Sequence, residues 1–211
     1  MRWLKRTCWA LALLLLLLVI AVAIYAQRSL PQTNGQLQLN GLGGAVKVHR
    51  DASDVTHILA GKPRDAWMAM GYVHAQERGW QLDFNRRIMR GELSALLGPA
   101  TLETDKLMRT LGIRQAAQAQ WERLPTSSRA LIEAYVQGIN AFYLEGSQVL
   151  SPEFQILQVN PREAAREGRY WDVYDSMGWS VMMALDLGGN WGTEFARLSM
   201  LQVLDTPALW Q

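Results

Sequence analysis

The sequence has few of the residues that build disulfides and most metal centres. It contains one cysteine, Cys8, and three histidines, His49, His57 and His74, in 211 residues. A single cysteine excludes an internal disulfide. No two histidines have the spacing of a helical or zinc-ribbon metal site, so we expect each to be structural. A glycine-rich loop that follows a strand and opens a helix is also missing, which argues against a phosphate-binding loop.

The chain also has little excess charge of either sign. Its formal net charge is +2, but four of its 21 basic residues lie in the first 30 positions. The remainder carries 17 basic and 19 acidic residues. Without a basic patch, nucleic acid is excluded as the expected partner.

Residues 1–30 resemble a targeting segment and are set apart from the fold. Basic residues precede an uncharged apolar run from Cys8 to Ala26. This run is longer than the core of an ordinary signal peptide and close to the ~20 residues that span a bilayer. Small residues near its end, including Ala23 and Ala26, also offer cleavage sites. A cleaved signal and a retained anchor through residues 8–26 are both open, and each predicts export of the rest to the periplasm.

The start of the exported part is predicted to be irregular and then β-stranded. Residues 31–44 are polar and contain several glycines, which is typical of a linker. Two β-branched runs within residues 45–60 are separated by Arg50-Asp51-Ala52-Ser53-Asp54. This pattern predicts a β-hairpin, and the domain proper is expected to cover residues 45–211.

A long helix is predicted from Asp65 to Gly98, and Gly91 and Gly98 are expected to bracket a short helical turn at its end. Apolar residues recur in it every three or four positions, so one face must be buried. Its other faces are crowded with charge. Asp83 lies three and four residues before Arg86 and Arg87, where helical neighbours meet.

The rest of the chain is predicted to be mainly helical. Expected helices cover residues 101–111, 113–124, 126–146 and 170–204, and residues 151–157 are expected to be extended or a turn. Thr126 or Ser127 is expected to cap the third of these helices. Gly138 lies inside its apolar stripe and predicts close helix packing there.

These segments carry a run of motifs that resembles the N-terminal part of the penicillin acylase family. The matching residues are Asp65, Gly71, Ala75-Gln76-Glu77-Arg78, Gln81-Leu82-Asp83, Arg86-Arg87, Gly91, Leu93, Gly98, Asp105, Arg109, Leu111-Gly112, Gly138-Ile139-Asn140, Pro152-Glu153-Phe154, Trp171 and Asp175. The family commonly has aspartate where this chain has Glu77, which leaves one local salt bridge in doubt.

The resemblance implies an α+β fold and an enzyme made of two chains, of which one carries the catalytic residue. In that family a precursor is cut into a small α chain and a larger β chain, which together form an αββα N-terminal nucleophile hydrolase. The new N-terminal serine or cysteine of the β chain is the catalytic residue. This sequence corresponds to the mainly helical α chain, so we expect no catalytic residue in it. The implied reaction is hydrolysis of an N-acyl amide, such as penicillin or an acyl-homoserine lactone.

The resemblance also implies roles for residues near the C-terminus. Glu194 matches a carboxylate that binds calcium in relatives, with the other ligands coming from the β chain. Ala184, Leu187, Gly188 and Trp191 match the region that lines the acyl-binding pocket. An ordinary surface carboxylate and a plain helix boundary remain the simpler interpretations of these residues.

A second function from a different class is also open. The chain would then be a membrane-tethered helical remnant with a binding or scaffolding role and no catalytic partner. An in-frame or frame-shifted continuation after the Gln211 codon, with a Gly-Ser or Gly-Cys processing site, would favour the hydrolase. Unrelated sequence would favour the scaffold.

Overall fold

The computed structural model describes residues 2–168 and 170–201 and is mainly helical. Its elements, in chain order, are α1 Arg2–Ser29, β1 Val46–Arg50, β2 Thr56–Ala60, α2 Pro63–Arg90, α3 Ser94–Leu97, a 3-10 turn Pro99–Thr101, α4 Leu102–Leu111, α5 Ile113–Arg123, α6 Thr126–Glu145, α7 Pro152–Ile156, α8 Pro161–Arg166, α9 Val173–Leu187 and α10 Trp191–Leu201. The chain forms two compact units. Unit 1 comprises Met1–Phe84 and Pro125–Val173, and unit 2 comprises Asn85–Leu124 and Tyr174–Gln211.

The predicted hairpin in unit 1 is confirmed. Strands β1 and β2 pair antiparallel, with Val46 opposite Ala60 and His49 opposite His57. The Asp51 carboxylate accepts hydrogen bonds from the backbone amides of Ser53 and Val55 at 2.9 and 3.0 Å, which closes the turn. In the described part of the chain these two strands form the only sheet.

Helix α2 ends earlier than the sequence predicted. It begins at Pro63, keeps the acidic Asp65 in its first turn and stops at Arg90. Gly91 has a φ of +63°, and the amides of Gly91 and Glu92 donate back to the carbonyls of Ile88 and Arg87. This is a Schellman end, which a left-handed glycine permits without strain. The prediction of one continuous helix to Gly98 was therefore wrong, but the short helical turn predicted between Gly91 and Gly98 is confirmed as helix α3.

The backbones of α2 and α6 touch in unit 1. A Cβ added to Gly71 would fall well inside contact distance of the Tyr135 carbonyl oxygen, and one added to Gly138 would do the same at the Met68 carbonyl oxygen. Each helix therefore carries a glycine at the point where the other passes. The close packing predicted from Gly138 is confirmed.

The core of unit 1 surrounds this contact. Tyr143 and Ile139 are at most 1% exposed, and the rings of Tyr72 and Phe142 meet edge to face at 5.5 Å. Leu39 and Leu42, in the segment that precedes the hairpin, pack against the same cluster. The other buried members of the core are Met68, Ala75, Ala134, Ala141, Ala165, Tyr170 and Trp171.

Three further helix predictions differ from the structure in detail. Pro125, and not Thr126 or Ser127, is the N-cap of α6, and its carbonyl accepts the first helical amides. Residues 152–156 form the helix α7 because Pro152 suits a first helical turn. The predicted helix 170–204 divides into α9 and α10, and its residues 202–204 lie outside the described part.

We predict that Gly138→Ala destabilises unit 1 by roughly 1–3 kcal/mol or more, because the added methyl group meets rigid backbone. The control is Gly192→Ala in α10, where an added Cβ meets nothing within 4 Å and helix propensity favours alanine. The measurement is the steady-state level of intact chain after expression, which falls several-fold for a loss of 1–2 kcal/mol. Equal levels for the two variants would show that the helices can separate at no cost.

Candidate functional site

The residues predicted to bind substrate and metal lie around the junction of α9 and α10, in unit 2. The Gly188 amide donates to the Ala184 carbonyl at 3.0 Å, and the Asn190 amide donates to the Gly188 carbonyl at 2.8 Å. A Cβ on Gly188 would lie 2.7 Å from the Ala184 oxygen. The chain thus needs glycine where it turns out of α9.

Helix α9 is held in unit 2 by a buried carboxylate. Asp175 is fully buried and receives two hydrogen bonds of 2.7 Å from the Arg90 guanidinium. Arg114 approaches the same carboxylate at 3.4 Å and lies 5.4 Å above the Tyr174 ring. Burying a carboxylate costs free energy because the group loses its hydration. The two short hydrogen bonds from Arg90 and the charge of Arg114 offset that cost.

Glycine lets α9 lie close to the end of α2. A Cβ on Gly178 would collide with the Met89 sulfur atom, and Met89 is only 2% exposed. The Asp175 ion pair and this contact fix the first half of α9 inside unit 2. The predicted site lies beyond that fixed part.

A second buried carboxylate organises the turns after α2. Asp105 accepts hydrogen bonds from the amides of Leu93 and Ser94 at 2.8 and 2.7 Å. Burial acts to raise the pKa of Asp105, but these hydrogen bonds and the charge of Arg109 outweigh it and hold the pKa below its usual value. Arg109 itself donates to the Gly91 carbonyl at 2.9 Å, which also supports the end of α2.

The four predicted substrate-binding residues lie on open surface in this chain. Leu187 is 76% exposed and Trp191 is 61% exposed, and Ala184 and Gly188 are also exposed. They lie together at one helix junction, but no wall of the described chain encloses them. Their assignment to substrate binding remains a prediction.

The metal site predicted at Glu194 also lacks further ligands in the described part of the chain. The Glu194 carboxylate is about half exposed and pairs with Arg197, one turn along α10, at 3.0 Å. Among residues 2–168 and 170–201 no three His, Cys, Asp or Glu side chains are placed to hold a metal ion together. Calcium takes six to eight oxygens, so the described residues would supply at most a small part of a calcium site.

Large apolar side chains surround these residues. The Trp191 and Phe195 rings meet edge to face at 6.1 Å, but both remain more than 60% exposed. The other exposed members of this apolar surface on α9 and α10 are Trp179, Leu187, Leu198 and Met200. Soluble proteins seldom leave large apolar areas exposed, so the exposure of this many large apolar side chains on two successive helices is typical of a binding face.

The structure stacks two of the histidines that were each predicted to be structural. The rings of His49 and His57 stack with centroids 4.8 Å apart, and His57 Nε2 lies 2.9 Å from the Asp51 carboxylate. Strand register could have revealed this pair, since both residues face the same side of the hairpin at opposed positions. No catalytic nucleophile contacts the pair among the contacts described.

The third histidine is buried in unit 1. His74 Nδ1 lies 2.8 Å from the Tyr135 hydroxyl. Burial lowers the pKa of His74, with a smaller contribution from Arg78, and burial raises the pKa of Tyr135 to about 12. A neutral histidine bonded to a phenol is a satisfied structural residue, as the sequence predicted.

Glu77, where the chain departs from the family pattern, has a partner. Its carboxylate accepts a hydrogen bond from Arg50 at the end of β1, which ties the hairpin to α2. The longer glutamate therefore keeps a salt bridge at this position. A cavity of about 710 Å³ lies nearby, between the 32–44 segment, the hairpin and α2, and it includes none of the predicted site residues.

Comparison with known proteins finds relatives of this chain. Residues 45–210 match the family model described as penicillin amidase. The chain is 33% identical over 165 residues to the penicillin acylase 2 proenzyme of Pseudomonas sp. strain SE83, which covers 78% of this chain and 20% of that protein. It is 32% identical over 184 residues to the acyl-homoserine lactone acylase QuiP of Pseudomonas aeruginosa, covering 86% of this chain and 20% of that protein.

A solved structure is also similar. The thermostable penicillin G acylase from Alcaligenes faecalis matches with a TM-score of 0.60 and 26% sequence identity, over 75% of this chain and 82% of that chain. The chain therefore spans about a fifth of the length of the curated relatives above but is comparable in extent to one chain of the solved enzyme.

We predict that Asp175→Asn destabilises unit 2 by about 3–5 kcal/mol, because it leaves the Arg90 charge uncompensated in a buried place. The matched control is Glu194→Gln, which removes an exposed carboxylate that also pairs with an arginine and should cost less than about 1 kcal/mol. Pulse proteolysis in urea measures both. Similar costs for the two variants would contradict the buried role of Asp175.

Proposed function

The chain belongs to the penicillin amidase family, and on that premise we propose that it is the α-chain portion of an exported amidohydrolase that cleaves N-acyl amide bonds. Its relatives are acylases, which supports an amide-cleaving enzyme. The nucleophile would lie on a second, larger polypeptide, the β chain of the same precursor. The two would complete an αββα fold, to which this chain contributes the helices and the hairpin.

The extent of the match supports a two-chain arrangement. The chain spans 20% of a relative named as a proenzyme, yet it matches 82% of one chain of the solved acylase. A short chain of this kind is therefore a separate polypeptide in at least one related enzyme. The rest of the enzyme would supply the missing four-fifths.

The single observation that carries the proposal is the bare apolar surface around the α9–α10 junction. Trp191, Phe195 and Leu187 are each more than 60% exposed, and together with their neighbours they form a face that water solvates poorly. A second chain packed on this face would bury the side chains and enclose the residues beside them.

In the completed enzyme, Ala184, Leu187, Gly188 and Trp191 would form one wall of the acyl-binding pocket. These groups are apolar or small, so they suit an acyl chain or aromatic acyl group better than a charged amine. The substrate class is a small N-acyl molecule, such as a penicillin or an acyl-homoserine lactone. Gly188, where the chain leaves α9, has no side chain and would leave space for the acyl group beside the other three residues.

Glu194 would supply one carboxylate oxygen to a calcium ion completed by the second chain. The donor fits a hard cation, but Arg197 now neutralises it at 3.0 Å and would have to turn away. The ion would join the two chains and take no part in the bond cleavage. Calcium is therefore a structural cofactor in this proposal.

Export to the periplasm would be directed by the apolar helix α1. Its basic N-terminal flank favours retention of that end in the cytoplasm and transfer of the following chain across the membrane. The competing function is a tethered binding or scaffold module. It is favoured by the fact that unit 1 already encloses a core of its own.

We predict that residues 31–211 alone have no amidase activity, because such a hydrolase needs a nucleophile with a positioned base. The assay uses chromogenic phenylacetyl and long-chain acyl anilides, first with the chain alone and then after co-expression with the downstream-encoded polypeptide. Activity that requires both polypeptides is expected. Turnover by the repurified single chain would refute the division of labour, and inactivity of both together would favour the scaffold.

A further inference from the structure

We propose that α1 is retained in the mature protein as a transmembrane anchor, and that its last turn is fixed to unit 1 by a socket formed by residues 148–150. This inference goes beyond the proposed hydrolase, because it concerns how the chain is held at a lipid bilayer. It holds whether or not the completed protein is an enzyme.

The surface of α1 suits lipid along its whole length. No residue of this helix is buried, and its side chains from Trp9 to Ile24 point outward all round. The uncharged stretch from Cys8 to Ala26 covers roughly 28 Å at 1.5 Å per residue. The hydrocarbon layer is about 30 Å thick, so the stretch matches it.

The two ends of α1 carry the residues that favour the two membrane interfaces. Trp9 and Tyr25 lie near the ends of the apolar stretch, about 24 Å apart along the helix, where amphipathic rings anchor at head-group level. Arg2, Lys5 and Arg6 lie before it, and Arg28 lies after it. The larger basic cluster sets the N-terminus on the cytoplasmic side.

The socket receives the last turn of α1 through three hydrogen bonds. The Tyr25 hydroxyl donates to the Leu150 carbonyl at 2.7 Å. The Val149 amide donates to the Arg28 carbonyl at 3.1 Å, and Gln148 Nε2 donates to the Ser29 carbonyl at 2.7 Å. The last four carbonyls of a helix lack partners within the helix, so unit 1 satisfies two groups that would otherwise be open.

Cys8 provides a direct test of retention. It is the only cysteine of the chain and lies within α1, so the mature chain has a thiol only if α1 is kept. The full chain is expressed in a Gram-negative host with its own N-terminus, and membranes are washed with alkaline carbonate. The denatured chain is then treated with a maleimide-polyethylene glycol reagent.

We expect the chain to stay in the washed membranes and to shift in mass by one reagent molecule. Cys8→Ser should remain in the membrane without a shift. The double variant Cys8→Ser, Gln36→Cys should shift in mass whether α1 is retained or removed. It therefore verifies that a chain without α1 would be labelled if it carried a thiol. A soluble chain without a thiol would overturn the proposal.

The socket is tested by the rate at which trypsin cuts after Arg28 in spheroplasts. Tyr25→Phe keeps the apolar ring but removes the hydrogen bond to Leu150, and we expect release of the exported part to be about fivefold faster. Trp9→Phe, which changes a ring at the opposite interface, should leave the rate unchanged. Equal rates for Tyr25→Phe and the unaltered chain would show that the last turn is not fixed to unit 1.

Discussion

The fold of unit 1 depends on backbone contact between α2 and α6. Gly71 and Gly138 let each helix reach the carbonyl groups of the other, a distance that any side chain would prevent. Because the helices lie this close, Met68, Tyr72 and Phe142 pack together in one core. The hairpin and the 32–44 segment then pack on the outer side of α2 through Glu77, Leu39 and Leu42.

Unit 2 depends on buried charge more than on apolar volume. Asp175 joins α9 to arginines from α2 and α5, and Asp105 satisfies the amides where the chain leaves α2. These contacts fix the first half of α9. The second half and α10 have few partners in the described chain, and they carry the exposed aromatic residues together with the predicted ligands. In the proposed function, this is the surface that a second polypeptide would cover.

The elements that could be predicted from the sequence are those that depend on residues close together along the chain. The hairpin follows from two β-branched runs, and the helices from apolar periodicity, so both were found close to their observed bounds. Gly91 was expected to border a short helical turn, but the complete end of α2 there depends on its left-handed backbone conformation, which the sequence does not show. The His49–His57 stack requires the strand register. Enclosure of Leu187 and Trp191 is predicted only from the family resemblance, since no described part of this chain covers them.

The central claim is that the core between α2 and α6 forms in this chain alone, whereas the exposed apolar side chains of α9 and α10 are covered by another chain. Residue-resolved hydrogen–deuterium exchange of this chain, alone and after co-expression with the downstream-encoded polypeptide, tests it most directly. We expect slow exchange in the α2 segment before Phe84 and in α6 under both conditions, because their amides are buried around the glycine contact. Amides of α10 should exchange rapidly in the single chain and slowly in the assembly. Equal, strong protection of α10 in the single chain would show that it is a self-sufficient domain and would contradict the account.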